Sequence, residues 1–515
     1  MNNKGILYLA TFIILGITAA YGNPQNNVAI LKLKLDRESP IAEILRDYYN
    51  STPATMHFAD TVNVSTAVLT ADIDRSDIAV LAQNGKGYNY YSLFAETYYK
   101  LSPVSTLWGH AGYLNGKTLD IAFCDVINYE TVAPFVLCDD AGGNLNSQRY
   151  DFGGGWSRCY NGIWSLGAQA DYAATVSHRA VDPRVRNIVS DLNVVVGGAR
   201  KVGQGYMLGL NLGVRVYNQD TDVDFYNTVT HAVTMVYTGL GTTSSRFRGA
   251  DAQNSSHRMT GFNASLQLVP TTHGDRFYGD IAIERTNVDL ILTGYNNLNF
   301  GTTTTTMLKA KLSRQWSVGQ GVTLFPTISC YISNRVATEN LFGSSAENYD
   351  KIGERQNYHH NHQRLMFEMP VSIRLNQGAT LLTVLPIVGY AGNKEYLLEP
   401  ARNIHTDCII GGMSLSATKR LACQWAIGAK VEYAGRFAAS TSAEWGGLDF
   451  TTPIGLMCKS NYSMSSCDVT TQKVSVTASR AINAVVASLS ASLEHSDYKG
   501  LSENNRLAVG LSLTF

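Results

Sequence analysis

The chain has 515 residues; charged residues make up 16% of it, and 41 basic residues balance 41 acidic ones. Zero net charge gives no support to a nucleic-acid binder, which needs a basic surface. A soluble chain of this length should divide into two or more domains, yet no linker or Pro-rich boundary interrupts the same texture from Thr55 onward.

Met1 to Gly22 has the pattern of a secretory signal peptide. Lys4 is the positive start, residues 6–19 are an apolar core, and Ala20-Tyr21-Gly22 offers small residues at the cleavage spacing. Past it, no window approaches the ~18 uninterrupted apolar residues of a transmembrane helix. A membrane protein of this sequence must therefore be a closed sheet. Abundant Gly (45) and Tyr (28) suit a close-packed inner wall and interfacial girdles.

Residues 23–53 stand apart. The run VAILKLKL (28–35) alternates, and Ser39-Pro40 then opens a short helix to Tyr49, with Ser as cap and Pro in the first turn. This segment is expected to lie in the periplasm or to tuck into a lumen as a plug. From residue 54 to 515 the chain reads as an up-and-down antiparallel transmembrane β-barrel of about eighteen strands, with sixteen as the alternative.

Alternation is clear at Trp164-Leu166-Ala168-Ala170-Tyr172, Leu208-Leu210-Leu212-Val214-Val216 and Leu365-Phe367-Met369-Val371-Ile373-Leu375. It recurs at Trp425-Ile427-Ala429-Val431-Tyr433 and Val485-Ala487-Leu489-Ala491-Leu493. A charged residue facing lipid at mid-bilayer costs roughly 2–4 kcal/mol, so the charged positions between these must face inward. Arg364, Glu368, Arg374, Lys430, Glu432, Lys309, Lys311 and Asp280 are the candidate lumen-lining residues. Short turns near residues 101–105, 161–162, 202–205, 270–275, 318–321, 376–378, 420–422 and 481–483 alternate with longer segments at 71–86, 126–148, 219–256, 337–361, 392–407 and 438–469. The short ones are expected in the periplasm and the long ones outside. The last stretch, RLAVGLSLTF (506–515), sets Leu507, Val509, Leu511, Leu513 and Phe515 against small or polar neighbours, as a closing strand does.

Five stretches resemble a family of Bacteroidota outer-membrane barrels of unknown function. They are STLWGHAGYLNGK (105–117), VAPFVLCDDAGGNL (132–145), RYDFGGGW (149–156), VDPRVRNIVSDL (181–192) and YTGLG (237–241). The resemblance implies an outer-membrane barrel often encoded beside TonB-dependent transporters and surface lipoproteins. It brings no catalytic or binding residues. The partners implied are outer-membrane lipid or lipopolysaccharide, the barrel-assembly machinery, and a surface lipoprotein or TonB-dependent transporter.

His359, His360 and His362 sit close enough in sequence to suggest a metal site in or just below a long loop. Cys458 with Cys467, and Cys124 with Cys138, are candidate loop disulfides; Cys159, Cys330, Cys408 and Cys423 read as small apolar residues in or near strands. His110, His231 and Asp280 have no nucleophile context, so no enzyme and no cofactor is expected. A TonB-dependent transporter needs about twenty-two strands and a far larger plug. Two readings stand: a channel or transport-associated barrel for small solutes, or a closed surface-binding or assembly barrel.

Overall fold

The computed structural model describes residues 24–515 apart from 204, 227–232, 250–252, 273, 320, 344–348, 422–423 and 484; side chains of residues 24–30 and 377 are likewise outside the description. Eighteen antiparallel strands close on themselves in chain order, from Val64–Ser76 to Ser502–Thr514. The seam runs in register from Thr66↔Thr514 to Ser76↔Asn504. Beyond it the Phe515 amide donates to the Ser65 carbonyl at 2.9 Å, and the Ser65 amide returns the bond at 3.2 Å. One strand is interrupted at Met369-Pro370, where Pro has no N–H for the ladder, and resumes as Val371–Leu375.

Alternation divides every strand between two solvents. Leu210, Leu212, Phe262, Ile281, Leu489 and Leu493 are each more than half exposed on the outer wall. A continuous apolar band of that size belongs in lipid. At the end with the short turns the band is edged by aromatic rings with arginines over them: Arg200 over Trp164 at 5.1 Å, Arg314 over Trp316 at 4.5 Å and Arg480 over Trp425 at 5.3 Å. Such pairs suit the headgroup layer, where a ring meets hydrocarbon and a guanidinium meets water.

The described part of the N-terminal segment is helical throughout: Pro24–Arg37, then Pro40–Asn50 behind the Ser39 cap, then the short turn Pro53–Phe58. The alternation at 28–35 is thus carried on a helix. The segment lies inside the turn end of the barrel. Lys34 donates to Ser512 and Thr514 of the last strand, the Tyr49 hydroxyl to the Pro270 carbonyl at 2.7 Å, and Ser157 and Ser165 both to the Ala54 carbonyl. Gly167 and Gly197 let it approach the wall; a Cβ on Gly167 would lie 2.4 Å from the Pro53 carbonyl carbon.

The loop end is folded too. Val136–Cys138, Thr234–Gly239 and Thr242–Gly249 form a three-stranded sheet with the second in the middle. The helix Pro453–Ser466 starts on the Thr452 side chain, which accepts from the Gly455 amide. Val136, Leu137 and Val236 are wholly buried and pack with inward residues of several strands, among them Val189, Tyr217, Leu290 and Phe300. A hydrophobic core therefore caps the lumen. Several strands run further into the long segments than alternation shows; the 392–407 stretch contains only the brief turn between Thr380–Leu397 and Arg402–Arg420.

Candidate functional site: the lumen and its two closures

Between the N-terminal segment and the loop cap the inner wall is charged. Arg215 takes Asp191 in a two-pronged pair, 2.9 and 2.7 Å, and Arg149 does the same with Asp151 on its own strand. Lys473 meets Glu494 at 3.3 Å, and Arg506 grips Asp72 across the seam at 2.7 Å. The space stays hollow. A cavity of ≈420 Å³ is lined by His110, Asp171, Arg215 and Glu284, and another of ≈520 Å³ by His110, Trp108, Glu96 and Arg46 of the N-terminal segment.

All eight expected lumen residues belong to strands of this wall. Lys430 pairs with Glu432 at 2.8 Å. Asp280 accepts from Ser51 at 2.8 Å, and Lys311 lies over the Tyr48 ring, 4.0 Å from Asp47. Arg374 reaches Asp36 at 3.4 Å. Three of the eight, Asp280, Lys311 and Arg374, therefore touch the N-terminal segment. Lys309 lines a cavity with Asp280 and Ser51. Arg364 and Glu368 have no ion-pair partner among the described residues. Arg364 is exposed on the face opposite Leu365 and Phe367, so it borders the open space inside the barrel.

The three-histidine site does not form. His359, His360 and His362 lie within the strand Lys351–Glu368, and strand alternation puts His359 on the opposite face from the other two. His359 stacks on Tyr396, ring centres 4.7 Å apart, whereas His360 meets Asn393. Cys458 and Cys467 are also corrected. Cys458 lies inside a helix whose C-cap is Cys467, and nine residues of helical rise separate them by ~13 Å, beyond the reach of one disulfide. Cys124 and Cys138 do lie opposite one another. The Phe123 amide donates to the Asp139 carbonyl and the Asp125 amide to the Leu137 carbonyl, which sets the two cysteines opposite in an antiparallel ladder. Cys159 and Cys408 are buried, His110 stacks on Phe94, and His231 and Cys423 lie outside the described residues.

Beside that cysteine pair the cap holds a buried triad: Arg179 contacts Asp125 at 3.2 Å and also Asp139, with none of the three side chains more than 4% exposed. Sequence reasoning passed over it, because one member ends a strand and the other two lie in a loop. Arg215 was within reach, standing alone among the leucines and valines of Tyr206–Asp224.

These features define a closed, membrane-spanning β-barrel of the outer-membrane type. The chain belongs to the family of unknown function DUF6850, whose model matches residues 53–515. No curated protein matches it. Similar solved structures include the ferric preacinetobactin receptor BauA of Acinetobacter baumannii, at 7% identity and TM-score 0.39 over 88% of this chain and 80% of that one. The siderophore receptor PiuA of the same organism stands at 7% and 0.39 over 88% and 82%. The alcaligin outer-membrane receptor FauA of Bordetella pertussis stands at 10% and 0.31 over 88% and 76%. At such scores the likeness carries no functional argument.

Proposed function

We propose that the protein is an exported outer-membrane barrel of the Bacteroidota kind its motifs resemble, and that it serves transport of small solutes from a closed resting form. The solute path runs through the charged chamber, and the N-terminal segment and the loop cap are gates in series. The observation that carries this reading is the hollow lumen, lined by charged residues, between two closures. A barrel that served only as a scaffold would gain from packing that space, since unpaired inward charges such as Arg364 and Glu368 contribute nothing to a core.

The second reading, a closed barrel that holds a surface lipoprotein or TonB-dependent transporter, draws support from the cap. Its buried core fixes the shape of the outer face. Planar-bilayer conductance separates the two. The full chain is expected to show no steady current. Deleting residues 24–60 alone, or replacing the 234–249 hairpin by a short flexible link alone, should leave current low, while both changes together should open a pore. A steadily conducting full chain would overturn the closed form. A folded double variant that stays silent would leave the holding role in place of transport.

A further inference from the structure

The lipid-facing wall is not uniformly smooth. A groove of ≈650 Å³ crosses four neighbouring strands on the outside of the barrel, between Val194, Val196, Leu212, Val214, Phe262 and Ile283. Its origin is one small residue. Ala264 stands on the outer face in register with Leu212 on one side and Ile283 on the other, so a depression lies where its neighbours carry four-carbon side chains. Phe262, 60% exposed, walls the groove two residues further toward the loop end, in register with Val214 and Arg285.

Arg285 also lines the groove, at its loopward edge. Its cross-strand neighbours are Phe262 and Thr306. It is exposed, and among the described residues no carboxylate or hydrogen-bond acceptor engages it. The nearby outward arginine behaves differently: Arg258 is taken by Asp220 at 3.0 Å. An unanswered guanidinium above an apolar trough, on a wall that faces hydrocarbon, is complementary to an amphiphile with an anionic head. Phosphate is the head a guanidinium holds best, through two parallel hydrogen bonds.

We propose that this groove is a binding site for a phosphate-bearing acyl lipid of the bilayer leaflet on the loop side, one chain lying between Leu212 and Ile283 over Ala264, with the phosphate on Arg285. The site is independent of the lumen and of what passes through it; it rests only on the barrel being membrane-embedded.

Native mass spectrometry of the detergent-purified full chain tests it, with dipalmitoyl phosphatidic acid as probe and dipalmitoylglycerol as its uncharged counterpart. Phosphatidic acid should bind in preference, and Arg285→Gln should lower its occupancy about five- to tenfold, the scale of one charge-assisted contact. Arg258→Gln should leave it unchanged. Ala264→Trp, which fills the groove on a lipid-facing and therefore tolerant surface, should abolish retention of both lipids. Equal retention of the two lipids by the wild type, or unchanged phosphatidic acid on Arg285→Gln, would overturn the proposal. So would a wild-type dimer that Ala264→Trp converts to monomer without losing lipid, because the groove would then be a contact between copies.

Discussion

Asp125 and Asp139 share the single Arg179 guanidinium in a place that hides all three from water, so two ionised carboxylates would leave a net negative charge in the cap core. Burial, helped by the charge of Asp139, pushes the Asp125 carboxyl well above the ordinary range. Burial opposes ionisation of Asp139 as well, but a hydrogen bond from Asp125, the Arg179 guanidinium and the Gly142 amide outweigh it and hold that pKa low. Asp125 is thus the member that keeps a proton. An acid whose folded pKa is raised favours folding below its unfolded pKa, and that contribution is lost as pH climbs through the folded value. Limited proteolysis of the loops should accordingly quicken as pH rises, and Asp125→Asn, which keeps the amide neutral, should flatten the dependence. Arg179→Met should be far worse, at about 3–5 kcal/mol, because it strands the buried Asp139 charge. A thermal melt of Arg179→Met indistinguishable from wild type would show that the triad is not what holds the cap.

At the scale of elements, the facing cysteines of the cap give a second prediction. Burial pushes the Cys124 thiol up to about 12, so in the packed cap it is a poor nucleophile. Oxidation is therefore expected during folding in an oxidising compartment, before the core closes. Peptide mapping without reductant should find Cys124 joined to Cys138, and a folded, reduced sample should reoxidise slowly. Recovery of both as rapidly alkylated free thiols would contradict the packing. The N-terminal helix gives a third. Tyr49 is 1% exposed and bonds Pro270, so Tyr49→Ala should cost about 3–5 kcal/mol of docking. The barrel ladder does not depend on it. Protease should reach residues 24–60 in that variant while the barrel melts as before.

Much of this architecture was legible in residue order. The Leu208 to Val216 pattern reads directly as one outer face, and Ser39-Pro40 announces its helix, because both signals are local. The cap was not legible: Thr452-Pro453 is a proper helix start, but within residues 438–469 nothing apolar repeats to sustain it. Strand ends were misjudged for a related reason. Above the membrane both faces of a strand meet water or loops, so the contrast that marks alternation fades while the ladder of hydrogen bonds continues through residues such as Asn393 and Lys394. The histidines show the cost of that. Taken as a loop they form a cluster; as a strand they divide between two faces.

At the scale of the whole molecule, the seam extends to Phe515, whose amide and carbonyl both bond Ser65. Phe515→Ala should lower the amount of folded barrel in the membrane, measured by heat-modifiable migration, since assembly must engage the last strand before the seam can form. Unchanged abundance would show that the terminal ring is dispensable. The seam also sets an order of events. Lys34 bonds the last strand, Tyr49 the middle of the chain, and Ala54 two strands near the start, so the N-terminal segment has partners on every side of the wall. Those partners are gathered most readily while the sheet is still open, so the segment is expected to dock before the seam closes. A peptide of residues 24–60 offered to a finished barrel that lacks them should stay outside, whereas the same peptide present during refolding should be enclosed.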